Sequence, residues 1–221
     1  MGTGSRSVWV FPVLFFSMVA GCSSVEGGSD SGPDGGGGAD VDTRQLDSFI
    51  AKQMASGNIP GIAVAVVKGS GSCFAKGYGW ANIEKKVPAT KDTLWMLASV
   101  SKTFIVTSVM QLAEAGKIGL DDNVNMHLPF AVDNPGFPAV PVTIRMLLTH
   151  KSSIRDNWDV LNALLVDGDS PIALGDFLRG YLVPGGAYYD AAKNFYPTAP
   201  GAVHKYSNIG AALAASTPGR H

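Results

Sequence analysis

Residues 95–104 read Trp95-Met96-Leu97-Ala98-Ser99-Val100-Ser101-Lys102-Thr103-Phe104, hydroxyls and one amine set in an apolar run. Ser99 and Lys102 lie three positions apart, a spacing that stacks two side chains on one face of a helix. An amine held beside a hydroxyl can take part in removing its proton, which is how a serine becomes a nucleophile. No other Ser-x-x-Lys occurs in the chain. Far downstream, Tyr206-Ser207-Asn208 offers a phenol and a carboxamide, alternate side chains of what reads as a short extended segment. A phenol relays a proton once neighbouring ammonium groups lower its pKa.

Around these two motifs the pattern is mixed helix and strand. Thr103 to Ala113 carries no charged residue. The spacing predicts a helix over 99–115, apolar all round and therefore buried, ended at Gly116-Lys117. Upstream, Asp42 and Gln45 have capping-box spacing for a helix whose apolar stripe is Leu46, Phe49, Ile50 and Met54, ended by Gly57 and Pro60. A hairpin follows: Ile62, Val64 and Val66 alternate, Gly69-Ser70-Gly71 turns, and Phe74, Tyr78 and Trp80 return. Thr143–Thr149 reads as a short helix. Tyr181, Tyr188, Tyr189, Phe195 and Tyr196 fall in a loop-rich stretch, where they either wall a substrate cleft or pack the loop on the domain. A helical pattern through Ile209, Ala211, Leu213 and Ala215 breaks at Pro218-Gly219.

The N-terminal 41 residues carry a different message. Arg6 precedes an apolar run from Val8 to Ala20, too short for a stable membrane-spanning helix, that closes on Val19-Ala20-Gly21-Cys22. This resembles a bacterial lipobox, in which cleavage leaves Cys22 lipid-modified. An ordinary secretory signal or an uncleaved anchor is the alternative. Residues 1–21 are thus expected to be a lipoprotein signal peptide. Residues 22–41, rich in Gly, Ser and Asp, are expected to form a flexible tether, spanning on the order of 20–25 Å. The expected destination is the bacterial membrane, facing the periplasm, or the cell surface.

The 221 residues hold 17 Lys and Arg against 18 Asp and Glu, with no basic stripe, which argues against a nucleic-acid partner. Two cysteines occur, Cys22 and Cys73; with Cys22 acylated, Cys73 reads as a small core residue in a strand. The four histidines show no metal-ligand spacing, so no metal and no cofactor is expected. No Gly-x-Ser-x-Gly elbow is present, which argues against an ordinary α/β-hydrolase.

The flanks of Ser99 resemble the nucleophile helix of the serine β-lactamase and penicillin-binding family. Further matching stretches follow in that family's order: Ile59-Pro60-Gly61-Ile62-Ala63-Val64-Ala65-Val66, Lys76-Gly77-Tyr78-Gly79-Trp80-Ala81, Gly119-Leu120-Asp121-Asp122 and Thr143-Ile144-Arg145-Met146-Leu147-Leu148-Thr149-His150. The resemblance covers residues 42–215, with 216–221 a tail outside it. Tyr206-x-Asn208, rather than Ser-Asp-Asn, points to the branch of class C β-lactamases, D-alanyl-D-alanine carboxypeptidases and related esterases. It implies an α+β fold, an antiparallel sheet flanked by helices plus a mainly helical region. It also implies a mechanism. Ser99 forms an acyl-enzyme, Lys102 and Tyr206 share the proton transfers, and Asn208 orients Lys102 and the substrate amide. The backbone N–H of Ser99 is one oxyanion donor. His150 reads as a structural hydrogen-bonding residue, and the turn after it, Lys151-Ser152-Ser153-Ile154, lacks the Gly usual in the family.

The family's third motif, Lys-Thr-Gly or His-x-Gly on a later strand, does not occur in these residues. The expectation is a domain truncated at its C-terminus, without the strands and helix that complete the sheet. Function then reads as an exported serine hydrolase acting on β-lactams, D-alanyl peptides or esters. Its partners would be a small-molecule or cell-wall peptide substrate and the membrane through Cys22, with no obligate protein partner. The alternative is a catalytically dead lipoprotein with a binding or structural role, or a fragment that does not fold.

Overall fold

The computed structural model describes residues 43–68 and 71–217. The signal, Cys22, the tether and the Asp42 cap lie outside the described residues. The chain divides into two compact units, one up to Met96 and one from Leu97 onward.

In the first unit, α1 (Arg44–Gly57) starts after Thr43 and ends where Asn58 turns left-handed at φ 50°. Its stripe is narrower than expected: Ile50 is buried, Leu46 and Met54 are half-buried, and Phe49 is exposed. β1 (Gly61–Lys68) pairs antiparallel with β2 (Gly71–Asn82), Ile62 opposite Tyr78 and Val66 opposite Phe74. A two-residue strand, β3 (Val87–Pro88), adds to the far side of β2, so the sheet order is β1-β2-β3. Gly79 has φ +69° and a Cβ there would stand 2.2 Å from the Pro60 carbonyl oxygen, so the return strand needs glycine at that point. Asp47 on α1 holds β2 through Lys76 Nζ at 3.0 Å and the Tyr78 hydroxyl at 2.6 Å.

In the second unit, a 3-10 turn over Ala98–Val100 leads into α2 (Ser101–Glu114). Then come α3 (Ile144–Leu148), α4 (Trp158–Ala163), α5 (Leu174–Leu182), α6 (Ala191–Asn194) and α7 (Asn208–Ser216). α7 buries Ile209, Leu213 and Ala214 and packs against α2, α3 and α5, around a core of Val109, Leu147, Leu178, Tyr181 and Leu182.

One expectation is corrected here. α2 is not buried all round. Val109 is buried, and Ile105, Leu112 and Ala113 flank it on the same face, while Phe104, Val106 and Met110 are exposed, Phe104 at 63%. Apolar composition states what a helix could bury; its neighbours set what it does bury. The hydroxyls of Thr103, Thr107 and Ser108 bond back to helix carbonyls at 2.7–2.9 Å, which lets them sit among apolar residues. Of the two readings left open for the aromatics, packing accounts for four: Tyr181 lies on α5, fully buried, and Phe195 is buried with Tyr188 and Tyr189 packed against the same core, while Tyr196 is half-buried with Arg155 and Lys205 over its ring.

Candidate active site

Ser99 belongs to the 3-10 turn and precedes α2, rather than sitting on it as the spacing suggested. The turn is entered through Ala98 at φ +46°, a left-handed conformation that an L-residue holds at a cost of about 1–2 kcal/mol. Lys102, in the first turn of α2, still reaches back: its Nζ donates to Ser99 Oγ at 3.2 Å. The Tyr206 hydroxyl donates to the same oxygen at 2.9 Å, from 107 residues away in sequence. Lys102 Nζ also stands 5.1 Å from the centroid of the Tyr206 ring, within cation–π range.

Burial pushes the Tyr206 phenol up, but polar contact with Lys102 and Ser99 and the Lys102 charge outweigh it. The phenol is held below its ordinary value. That is the direction a general base requires.

The Tyr206 ring is backed by His150, the centroids 4.5 Å apart. His150 Nδ1 accepts the Ser207 N–H at 3.3 Å and its carbonyl accepts the Lys205 N–H at 2.7 Å, so it splints both neighbours of Tyr206. Accepting at Nδ1 requires a neutral ring. Burial, then the charges of His204 and Lys102, lower the His150 pKa and favour that form, against a smaller opposing effect of Asp156.

The second motif is not wholly extended. Ser207 is extended and caps α7, its Oγ accepting from the Gly210 N–H, and Asn208 is already the first residue of the helix. Asn208 Nδ2 donates to Asp156 Oδ2 at 2.8 Å. The fold therefore gathers Ser99, Lys102 and Tyr206 into one hydrogen-bonded cluster and turns the side-chain amide N–H of Asn208 to Asp156. Sequence reasoning missed Asp156, which stands in an irregular segment with no motif around it. It also missed the left-handed Ala98.

Residues 46–216 match the Beta-lactamase family. The chain belongs to that family. Protein flp of Staphylococcus aureus (strain MRSA252) is 33% identical over 111 residues, 50% of this chain and 22% of that protein. Among solved structures, the octameric penicillin-binding protein homologue from Pyrococcus abyssi superposes with a TM-score of 0.57 at 28% identity, over 81% of this chain and 40% of the other. EstCE1, a hydrolase with promiscuous acyltransferase activity, gives a TM-score of 0.60 at 25% identity, over 80% of this chain and 47% of its own. The chain thus aligns with less than half the length of each. Within this family, a departure seen in the sequence has a structural reading. Ser153, in the turn after His150 that lacks glycine, adopts φ +61°, the conformation glycine reaches freely. Its Oγ accepts from Asn134 Nδ2 at 2.8 Å, a bond that glycine could not make.

Proposed function

We propose that the protein is an exported serine hydrolase that forms an acyl-enzyme through Ser99 on β-lactam, D-alanyl-peptide or ester substrates. The observation that carries this reading is the convergence of Lys102 Nζ and the Tyr206 hydroxyl on one oxygen, Ser99 Oγ, at 3.2 and 2.9 Å. With Tyr206 ionised the second bond reverses, and Ser99 donates to the phenolate. Oγ then attacks the substrate carbonyl carbon while the Ser99 proton passes to Tyr206. Tyr206 returns that proton to the leaving nitrogen or oxygen as its bond to the carbonyl carbon breaks. Water then attacks the acyl carbon as Tyr206 takes its proton, and Tyr206 hands that proton to Ser99 Oγ as the bond from Oγ to the acyl carbon breaks, freeing the acid and restoring both Ser99 and the phenolate. Lys102 stays beside the phenol and favours its ionised form.

These residues carry neither Lys-Thr-Gly nor His-x-Gly. The Cys22 lipobox and the Gly-rich stretch after it support anchoring to the membrane. A fluorescent penicillin or a p-nitrophenyl ester tests the chemistry. The adduct is expected on Ser99 by mass spectrometry, absent in Ser99→Ala. Its rate should rise with pH as Tyr206 ionises, a dependence lost in Tyr206→Phe. Labelling that survives Ser99→Ala would sink the assignment.

A further inference from the structure

We infer that Asp156 is a positioning residue for the reacting phenol, the acceptor that sets the backbone of Tyr206-Ser207-Asn208 and so holds Tyr206 against Ser99. Its carboxylate takes four hydrogen bonds from three consecutive residues. Oδ1 accepts from Ser207 Oγ at 2.9 Å and the Ile209 N–H at 3.1 Å; Oδ2 accepts from the Asn208 N–H at 2.9 Å and Asn208 Nδ2 at 2.8 Å. Two of these donors are among the unpaired N–H groups that open α7, and a negative charge at a helix N-terminus is favourable. A carboxylate only accepts, so it also settles which end of the Asn208 carboxamide faces it: the nitrogen must.

Asp156 can do this because its own backbone is clamped. The Tyr181 hydroxyl donates to the Arg155 carbonyl at 2.8 Å and accepts the Asn157 N–H at 2.6 Å. Buried Asn194 takes the Arg155 N–H at 2.8 Å on its carbonyl and Asn157 Nδ2 at 3.0 Å on Oδ1. Both neighbours of Asp156 are thereby tied to core residues. The chain of support runs from core to Asp156, to the start of α7, to Tyr206, to Ser99.

The proposal rests on the reading of Ser99 as nucleophile for its kinetic consequence, but not for its structural one, and the test separates them. The charged and titratable groups around the phenol are Lys102, His150 and Asp156. Asp156's charge by itself opposes ionisation of Tyr206. Deleting that charge would therefore lower the phenol's pKa further, whereas loss of positioning takes the phenol away from Lys102 and returns it upward towards its ordinary value. The two roles predict opposite signs.

The full chain is labelled with ¹³Cζ-tyrosine, and the Tyr206 resonance is assigned among the six tyrosines by its loss in Tyr206→Phe. Its titration is followed in wild type, Asp156→Ala and Asp156→Asn, with circular dichroism to establish folding. An upward shift is expected in Asp156→Ala and a smaller one in Asp156→Asn, which keeps one carbonyl acceptor. Acylation of Ser99 by the fluorescent penicillin at saturating probe is expected to fall about 100-fold and about 10-fold respectively, the scale of a misplacement near 1 Å. A Tyr206 titration in a folded variant that is unchanged, or shifted downward, overturns the positioning role. If Asp156→Ala does not fold, Asp156→Asn decides by the same criterion. If wild type is not acylated at all, the Ser99 reading fails, and the tyrosine titration still decides whether Asp156 positions the phenol.

Discussion

Replacing Tyr181 by Phe removes one oxygen and leaves the ring, so it isolates what the hydroxyl contributes. Tyr181 is fully buried, and its oxygen makes two bonds, to the Arg155 carbonyl and from the Asn157 N–H. Without it a buried N–H and a part-buried carbonyl lose a partner, each worth about 1–3 kcal/mol when left unmade. The expected loss is about 2–4 kcal/mol, a large fraction of the roughly 5–15 kcal/mol typical of a folded domain. Urea unfolding of the full chain should show a lower midpoint with an unchanged slope. The alkaline limb gives a second reading. Burial, offset in part by the Asn157 N–H but supported by the Asp156 charge, pushes the Tyr181 phenol up to about 12 from an ordinary 10. A raised acid favours the folded state while it is neutral. The contribution is fully present below pH 10 and is lost as pH climbs through about 12. Two pKa units correspond to about 3 kcal/mol, so Tyr181→Phe should flatten that part of the alkaline slope. A loss under about 0.5 kcal/mol at neutral pH, with the alkaline limb unchanged, would refute the clamp around Asp156.

Ser153→Ala keeps the left-handed backbone and removes the oxygen that accepts from Asn134, so it should cost about 1 kcal/mol by urea unfolding. Ser153→Gly loses the same bond but relieves the backbone, and should stay within about 0.5 kcal/mol of wild type. Ala98→Val puts a β-branched residue at φ +46° next to Ser99. It should destabilise by about 1–3 kcal/mol and slow labelling of Ser99. Cys22→Ser should move the protein out of the membrane fraction, or block its processing, and abolish incorporation of a palmitate analogue; identical fractionation of the two forms, with no label in either, would rule out the lipid anchor.

Short stretches of chain were enough to read α1, β1, β2, α2, α3 and α7, though not β3, α4, α5 or α6, and to single out Ser99, Lys102 and Tyr206 as candidates. Alternation in Ile62, Val64 and Val66 marked β1, and the three-residue spacing of Ser99 and Lys102 put an amine within reach of a hydroxyl. These are local facts: strand period, helix period and turn chemistry act over a few residues and can be read from a few residues. Other features depended on what packs beside what. α2 looked buried all round, yet only the face with Val109 meets the core. The aromatics of 181–196 could have lined a cleft, and burial placed Tyr181 and Phe195 inside. Asp156 left no trace in the sequence, because a lone carboxylate in a loop has no pattern. It gains a role only when the fold brings 155–157 against the start of α7, more than 50 residues on, and supplies four donors to one acceptor group. The meeting of Tyr206 with Ser99 is likewise tertiary. A hydrogen bond between residues 107 apart exists only when the core, by closing, brings the two segments together.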